Sequence, residues 1–378
     1  MRPLLLTALL LLGLWAGAQG KTATELYDAG VNARSEKNYE QAAGLLKQAT
    51  ALDPSMGKAW YELGWCSNEL KKYDDAARAL EKALTLLGDQ AKIFFELGYA
   101  NQFLNNKEKA KSNYQRCLEM NKEYSSAYRQ MGHLYFEQFS DYKSALTYFN
   151  EYISRAKEED VSALAWYRKG YCEVEAAEYE KAVTSLKKAT LVDNKFLKAY
   201  NELGYAYYKL SKSTEAIDAY KTAQYIDPDN STAYTGLGDV YRMLTKEPDN
   251  AFDQYRKAVE LNPKSTNSYY GMAWYFNEKE RYNDAIIQLK KAIDISPKTP
   301  QYHTELGYSY YGLKQYSDAL SAFDRSLAIR ETMLAYYYKG LTLIELKQKS
   351  NAQDVYQKLV KIHPEQAEKL LTKIKAMP

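Results

Sequence analysis

The sequence predicts an all-α chain, a solenoid of about ten helix-turn-helix repeats. Three observations carry this. The phrase Glu-Leu-Gly-aromatic recurs as YELGW at 61–65, FELGY at 95–99, NELGY at 201–205 and TELGY at 304–308. Leu63 to Leu97 is 34 residues, and Leu97 to Leu203 and Leu203 to Leu306 are 106 and 103, three such periods plus four and plus one. A fixed period of this length marks stacked supersecondary units, each too small to bury its apolar face alone. Within one period, the apolar residues fall into two stripes of helical spacing.

The unit beginning at Leu197 shows both stripes when the glycine of the phrase is placed at position 8. Tyr200, Leu203, Gly204 and Tyr207 fall at positions 4, 7, 8 and 11, one face of a first helix, helix A. Ala216, Tyr220 and Ala223 fall at 20, 24 and 27, the matching face of a second, helix B. The glycine and alanines let the two backbones approach. Pro228 at position 32 cannot continue the second helix and restricts the residue before it. Position 8 is Gly30, Gly64, Gly98, Gly132, Gly170, Gly204, Gly238, Ala273, Gly307 and Gly340 in turn. Position 20 is Ala42, Ala76, Ala110, Ala145, Ala182, Ala216, Ala251, Ala285, Ala319 and Ala352.

This frame resembles the tetratricopeptide repeat (TPR) family over nearly the whole chain. The expected repeats are 23–56, 57–90, 91–124, 125–162, 163–196, 197–230, 231–265, 266–299, 300–332 and 333–366, with a capping helix at 367–378. The fourth carries insertions, mostly in its B-to-A turn RAKEEDVS, and the seventh a longer A-to-B turn, LTKEPDN. Both are expected to have a lengthened A-to-B turn. In the last segment Ala367, Leu370, Leu371 and Ile374 form one apolar stripe backed by lysines, which suits a cap with a polar outer face. The resemblance implies a right-handed superhelix whose inner surface is lined by helix A.

Residues 1–18 stand apart. Arg2, an apolar run from Leu4 to Trp15 and Ala16-Gly17-Ala18 have the layout of a signal peptide cleaved after Ala18. The run is short for a membrane span, and an uncleaved anchor is the other reading. Export, to the periplasm or outside the cell, is therefore expected. Lys plus Arg number 51 against 48 Asp plus Glu, a balance that offers no electrostatic case for nucleic acid. Cys66, Cys117 and Cys172 form neither a disulfide framework nor a zinc pattern and read as small buried hydrophobes.

The candidate binding residues follow from a second stripe on helix A, positions 2, 5, 9 and 12, which share a face. Position 5 carries Tyr61, Phe95, Tyr167 and Tyr270; position 9 carries Trp65, Tyr99, Tyr171, Tyr205, Trp274 and Tyr308. Tyr61/Trp65, Phe95/Tyr99, Tyr167/Tyr171 and Tyr270/Trp274 are i,i+4 neighbours expected to stack. Glu62, Glu96, Glu202 and Glu305 at position 6 make the stripe patchily acidic. Repeats 4 and 7 interrupt the aromatics with Arg129/His133 and Thr235/Asp239, and Arg168 interrupts the acids. A contiguous exposed aromatic strip is costly unless something covers it, so a binding groove is expected, its ligand a protein or peptide of basic or apolar character. A glycan stacking on the same rings is the alternative, and close packing of the rings against neighbouring helices is the structural one.

No nucleophile elbow, P-loop, HExxH or dinucleotide fingerprint occurs, and the histidines number only 3. No catalytic residue, metal or cofactor is expected. The Lys and Asn set with which some family members clamp a C-terminal acidic peptide is missing from every run of three repeats.

Overall fold

A computed structural model describes residues 21–377. The signal-peptide segment lies outside them. The described residues are all helical, with no strand, and divide into a unit ending at Ala176 and a unit beginning at Ala177. The first holds α1 Ala23–Ser35, α2 Tyr39–Leu52, α3 Gly57–Glu69, α4 Tyr73–Leu87, α5 Ala91–Phe103, α6 Lys107–Met120, α7 Ser125–Leu134, α8 Tyr142–Arg155 and α9 Ala163–Glu175. The second holds α10 Tyr179–Val192, α11 Leu197–Lys209, α12 Ser213–Ile226, α13 Ser231–Val240, α14 Pro248–Leu261, α15 Thr266–Glu278, α16 Tyr282–Ile295, α17 Pro300–Gly312, α18 Tyr316–Ile329, α19 Met333–Glu345, α20 Lys349–Ile362 and α21 Pro364–Lys375. Odd-numbered helices through α19 are A helices and even-numbered ones are B helices.

Local chemistry sets the helix ends. Thr22 and Glu25 form a reciprocal capping box at α1, with the Thr22 amide 2.8 Å from the Glu25 carboxylate. The B-to-A turns use short polar side chains: Asp53, Asn121, Asp193, Asp227 and Asn262 each accept the amide two residues on, at 2.9–3.1 Å. A-to-B turns pass through one left-handed residue, such as Lys71 (φ 59°) or Ser211 (φ 58°).

Packing then joins the pieces. The position-20 alanines Ala42, Ala76, Ala110, Ala145, Ala182, Ala216, Ala285, Ala319 and Ala352 have no exposed surface. The position-24 side chain lies on the position-8 glycine so closely that a methyl group there would meet it: 2.5 Å to Leu80 from Gly64, 2.6 Å to Tyr114 from Gly98, 2.5 Å to Phe323 from Gly307. Clusters run from a B helix into the next A helix, as with Ala42, Leu46, Ala59 and Cys66 in the first unit, and Tyr255, Met272, Leu289 and Leu306 in the second. At the C-terminus, Ala367, Leu370 and Ile374 of α21 cover Tyr336, Leu343 and Leu359. That helix begins at Pro364, three residues before the expected 367, because the His363 ring accepts the Gln366 amide at 3.2 Å.

The extra residue of repeats 4 and 7 does not lengthen a turn, contrary to expectation. It is absorbed into helix A, whose last turn becomes π-helical at Tyr135–Phe139 and Tyr241–Thr245. Each π turn ends in the same left-handed residue as its neighbours, Ser140 (φ 53°) and Lys246 (φ 60°). The next amide, Asp141 or Glu247, then closes onto Tyr135 or Tyr241 at 3.0 and 2.9 Å. A π turn accommodates one residue without breaking the helix, so the A-to-B geometry survives the insertion. The remaining insertion of repeat 4 forms a 3-10 turn, Glu158–Asp160, anchored by buried Val161.

Candidate functional site

In the first unit, each position-9 Tyr or Trp ring meets the first residue of the preceding B helix. Tyr39 packs edge-on to Trp65 at 5.6 Å, Tyr73 to Tyr99 at 6.3 Å, and Tyr142 to Tyr171 at 5.4 Å. In the second unit, Tyr179 meets Tyr205 at 6.5 Å and Tyr282 meets Tyr308 at 6.4 Å in the same way. Of the four i,i+4 pairs expected to stack, Tyr167/Tyr171 touch, tilted at 6.2 Å. Phe95 instead stacks on Tyr124 at 5.0 Å, Tyr61 lies under the Lys92 ammonium at 4.3 Å, and Tyr270 packs on Tyr302 at 5.5 Å. The reason is geometric. Rings tilted toward a helix N-terminus reach the neighbouring repeat before they reach one another.

Exposure varies along the stripe. Tyr205 is 39% exposed; Tyr61, Trp65, Phe95, Tyr99, Tyr171, Tyr270, Trp274 and Tyr308 are half-buried. Tyr167 is buried, so it does not line an open strip as expected.

Three of the position-6 acids expected to make the stripe patchily acidic are engaged by side chains of the preceding repeat. Arg34 donates to Glu62 at 2.6 Å, Asn68 to Glu96 at 2.8 Å, and Asn277 to Glu305 at 2.8 Å. Each donor stands at position 12 of the preceding repeat. These carboxylates tie one A helix to the next. Glu96 is 8% exposed, and burial pushes its carboxyl up to about 7. Burial raises Glu305 as well. Glu202 is half-buried.

Sequence reasoning missed the position-12 donors. Their signal was present as a 28-residue offset between Arg34, Asn68 or Asn277 and the acid each one meets. It also missed Arg242 of the second π turn. That guanidinium lies 5.5 Å from the Tyr270 ring and 5.6 Å from the Trp274 ring, with Asp239 at 3.5 Å. Beside Tyr270 is a recess of about 260 Å³ lined by Thr304, Glu305, Arg330, Met333 and Leu334. It is the size of one large side chain, with apolar walls and a carboxyl at one edge.

Nucleophile chemistry has little foothold. Cys66, Cys117 and Cys172 are buried, and burial raises each thiol to about 12. Among the described residues, no group of three His, Cys, Asp or Glu side chains is placed to hold a metal. No described helix is long and apolar enough to cross a membrane.

Comparison with known proteins defines the class. Profiles described as tetratricopeptide repeat or TPR repeat match residues 27–91, 91–124, 163–196, 204–244, 231–265, 275–314, 304–335 and 334–365. The chain belongs to the tetratricopeptide repeat family. No curated protein matches it. Among solved structures, the APC/C hetero-tetramer Cut9-Hcn1 is similar at 15% identity, over 93% of this chain and 95% of that one, with a TM-score of 0.53. A tetratricopeptide repeat protein from Parabacteroides merdae is similar at 16% identity, over 66% of this chain and 98% of that one, at 0.52. Pseudomonas aeruginosa pilF is similar at 15%, over 57% and 100%, at 0.51. At these identities the likeness is one of fold.

Proposed function

We propose that the chain is a non-enzymatic scaffold of the cell envelope or extracellular space that binds a protein or peptide along its A-helix rings. The observation that supports this best is the fixed yet accessible ring series. Trp65, Tyr99, Tyr171, Tyr205 and Tyr308 are each held edge-on by the tyrosine that starts the preceding B helix, Trp274 lies beside the Arg242 guanidinium instead, and all six remain half-buried or exposed, Tyr205 most of all. Rings pre-set in this way lose little freedom when a partner covers them. Because Glu62, Glu96 and Glu305 are engaged within the chain, recognition relies on apolar and aromatic contact more than on free carboxylates. The hetero-tetramer containing Cut9, a likeness in fold, is an assembly of this architectural kind. Export rests on the signal-like residues 1–18.

The experiment is capture of partners from an envelope extract by the exported chain, compared with Tyr205→Ala and Trp274→Ala. Each substitution is expected to weaken binding by about 1–3 kcal/mol, while Leu203→Ala, which empties a core position, costs about 2–5 kcal/mol of stability. Normal capture by both ring variants together with early melting would reassign the rings to packing. Binding to purified polysaccharide with no protein present would favour a glycan instead. N-terminal sequencing of the exported form is expected to begin at Gln19; a membrane-bound chain beginning at Met1 would overturn export by cleavage.

A further inference from the structure

The aromatic stripe of the first unit is broken at repeat 4, and the residues that break it are basic. We propose that Arg129, His133 and Arg168 form a recognition point for the side-chain carboxylate of an acidic residue within a partner's peptide segment. This rests on the protein-binding reading and adds the chemistry of one contact.

Three features of the fold build the point. The π turn Tyr135–Phe139 carries Phe136 and Glu137 to Arg168, whose guanidinium lies 5.4 Å from the Phe136 ring and donates to Glu137. π turns recur at functional sites because the inserted residue re-aims its neighbours. Arg168 also donates to Nδ1 of His133. An accepting Nδ1 leaves the ring proton on Nε2, which is then a donor. His133 is held edge-on by Phe149 at 5.3 Å, and burial with the neighbouring Arg168 and Arg129 pushes its pKa to about 3. It is therefore a neutral donor at any ordinary pH. Arg129, one helical turn before it on α7, is half-buried with its guanidinium 5.8 Å from the Tyr152 ring. No carboxylate of the described residues lies within ion-pair distance of Arg129.

The local charge is thus unbalanced. Of the two guanidiniums, that of Arg168 is paired with Glu137, itself 46% exposed, and that of Arg129 with no carboxylate. Lys169 is matched by Glu173 at 2.6 Å. Glu96 also acts on the Tyr99 hydroxyl, raising it where Arg129 lowers it, but the Glu96 carboxyl, raised to about 7, is only partly ionised near neutrality. A half-buried guanidinium without a counter-ion bears a desolvation cost that an incoming anion relieves. A carboxylate fits best, since its two coplanar oxygens match the guanidinium fork. Half-buried Tyr99 and Tyr171 belong to the repeats on either side and offer apolar footing for the residues flanking the acid.

The test uses the full exported chain and a fluorescent, C-terminally amidated peptide of alternating glutamate and tyrosine, with a lysine-for-glutamate counterpart. The acidic peptide is expected to bind, to weaken as salt rises, and to shift the His133 Nε2–H resonance. Arg129→Gln is expected to weaken it about tenfold, the usual worth of one charge-assisted contact, without moving the thermal melt. Arg129→Lys, which keeps the charge and loses the fork, is expected to fall between. Equal binding of the two peptides, or unchanged binding by Arg129→Gln, overturns the proposal. So does inorganic phosphate displacing the peptide at the peptide's own concentration, which would mark a plain anion site. If the acidic peptide fails while partner capture still depends on Tyr205 and Trp274, the scaffold reading stands and this one falls.

Discussion

Glu96→Gln tests how the repeats are tied together. Glu96 sits on α5, 8% exposed. Asn68 of α3 donates Nδ2 to its carboxylate at 2.8 Å and to its backbone carbonyl at 3.1 Å. Oδ1 of Asn68 is buried with no hydrogen-bond partner. Burial raises the Glu96 carboxyl from 4.5 to about 7, with Glu69 and Glu62 adding to the effect and the Asn68 bond opposing it. The sign follows from which state holds the proton. Below pH 4.5 both states are protonated and the group contributes nothing. Between 4.5 and about 7 the folded chain keeps a proton that the unfolded chain has released, so stability falls as pH rises. Above that window the full penalty applies, about 3 kcal/mol for a shift of this size. A glutamine oxygen still accepts from Asn68, and its amide brings a donor toward the orphaned Oδ1. Glu96→Gln is therefore expected to stabilise α3–α5 by up to about 3 kcal/mol near pH 8, and by under about 1 kcal/mol near pH 5. Hydrogen exchange of residues 57–106, corrected for intrinsic rates, reads this directly, with thermal melts beside it. A variant less stable than its parent near pH 8 would refute the reasoning, as would parental protection that does not fall across the window.

Two glycines should respond oppositely to alanine. At Gly64 the added methyl meets Leu80 at 2.5 Å, and a loss of about 1–3 kcal/mol is expected; at Gly44 nothing lies within 4 Å, and a gain of about 0.5–1 kcal/mol is expected in the same melts. Removing residues 364–378 uncovers Tyr336, Leu343 and Leu359. Exchange should rise first in α19 and α20 and be unchanged in α3 and α4, because contacts in such an array run between neighbours; uniform loss of protection would contradict this.

The helices were legible because their determinants are local and repeated. Gly64, Gly98 and Gly307 mark places where a position-24 side chain lies on bare backbone, and ten alanines in phase mark the facing surface. The insertion in repeat 7 was visible as a count of residues, but whether it would bulge a turn or a helix was not. That depended on Lys246 adopting the left-handed conformation already available to the turn, so that the strain of one residue went into the last turn of helix A. The candidate stripe was legible as a set of residues and only partly as a surface, since Tyr167 and Glu96 belong to it in sequence and are buried in the fold.

The sequence alone determined the family, the helix pairs and the residue types on each A-helix face, since a period of 34 and an i,i+3,i+4 pattern are properties of the chain itself. The tertiary structure decided what those faces present. Whether a glutamate is a free charge or a tie depends on a donor 28 residues earlier, as Asn68 and Glu96 show. Whether an arginine is matched depends on the carboxylates that packing brings to it, which separates Arg34, paired with Glu62, from Arg129. Position in a repeat assigns a side chain to a face; only the stacking of one repeat on the next assigns it a partner, because ion pairs and ring contacts fall off within a few ångströms and the neighbours at that range come from another helix.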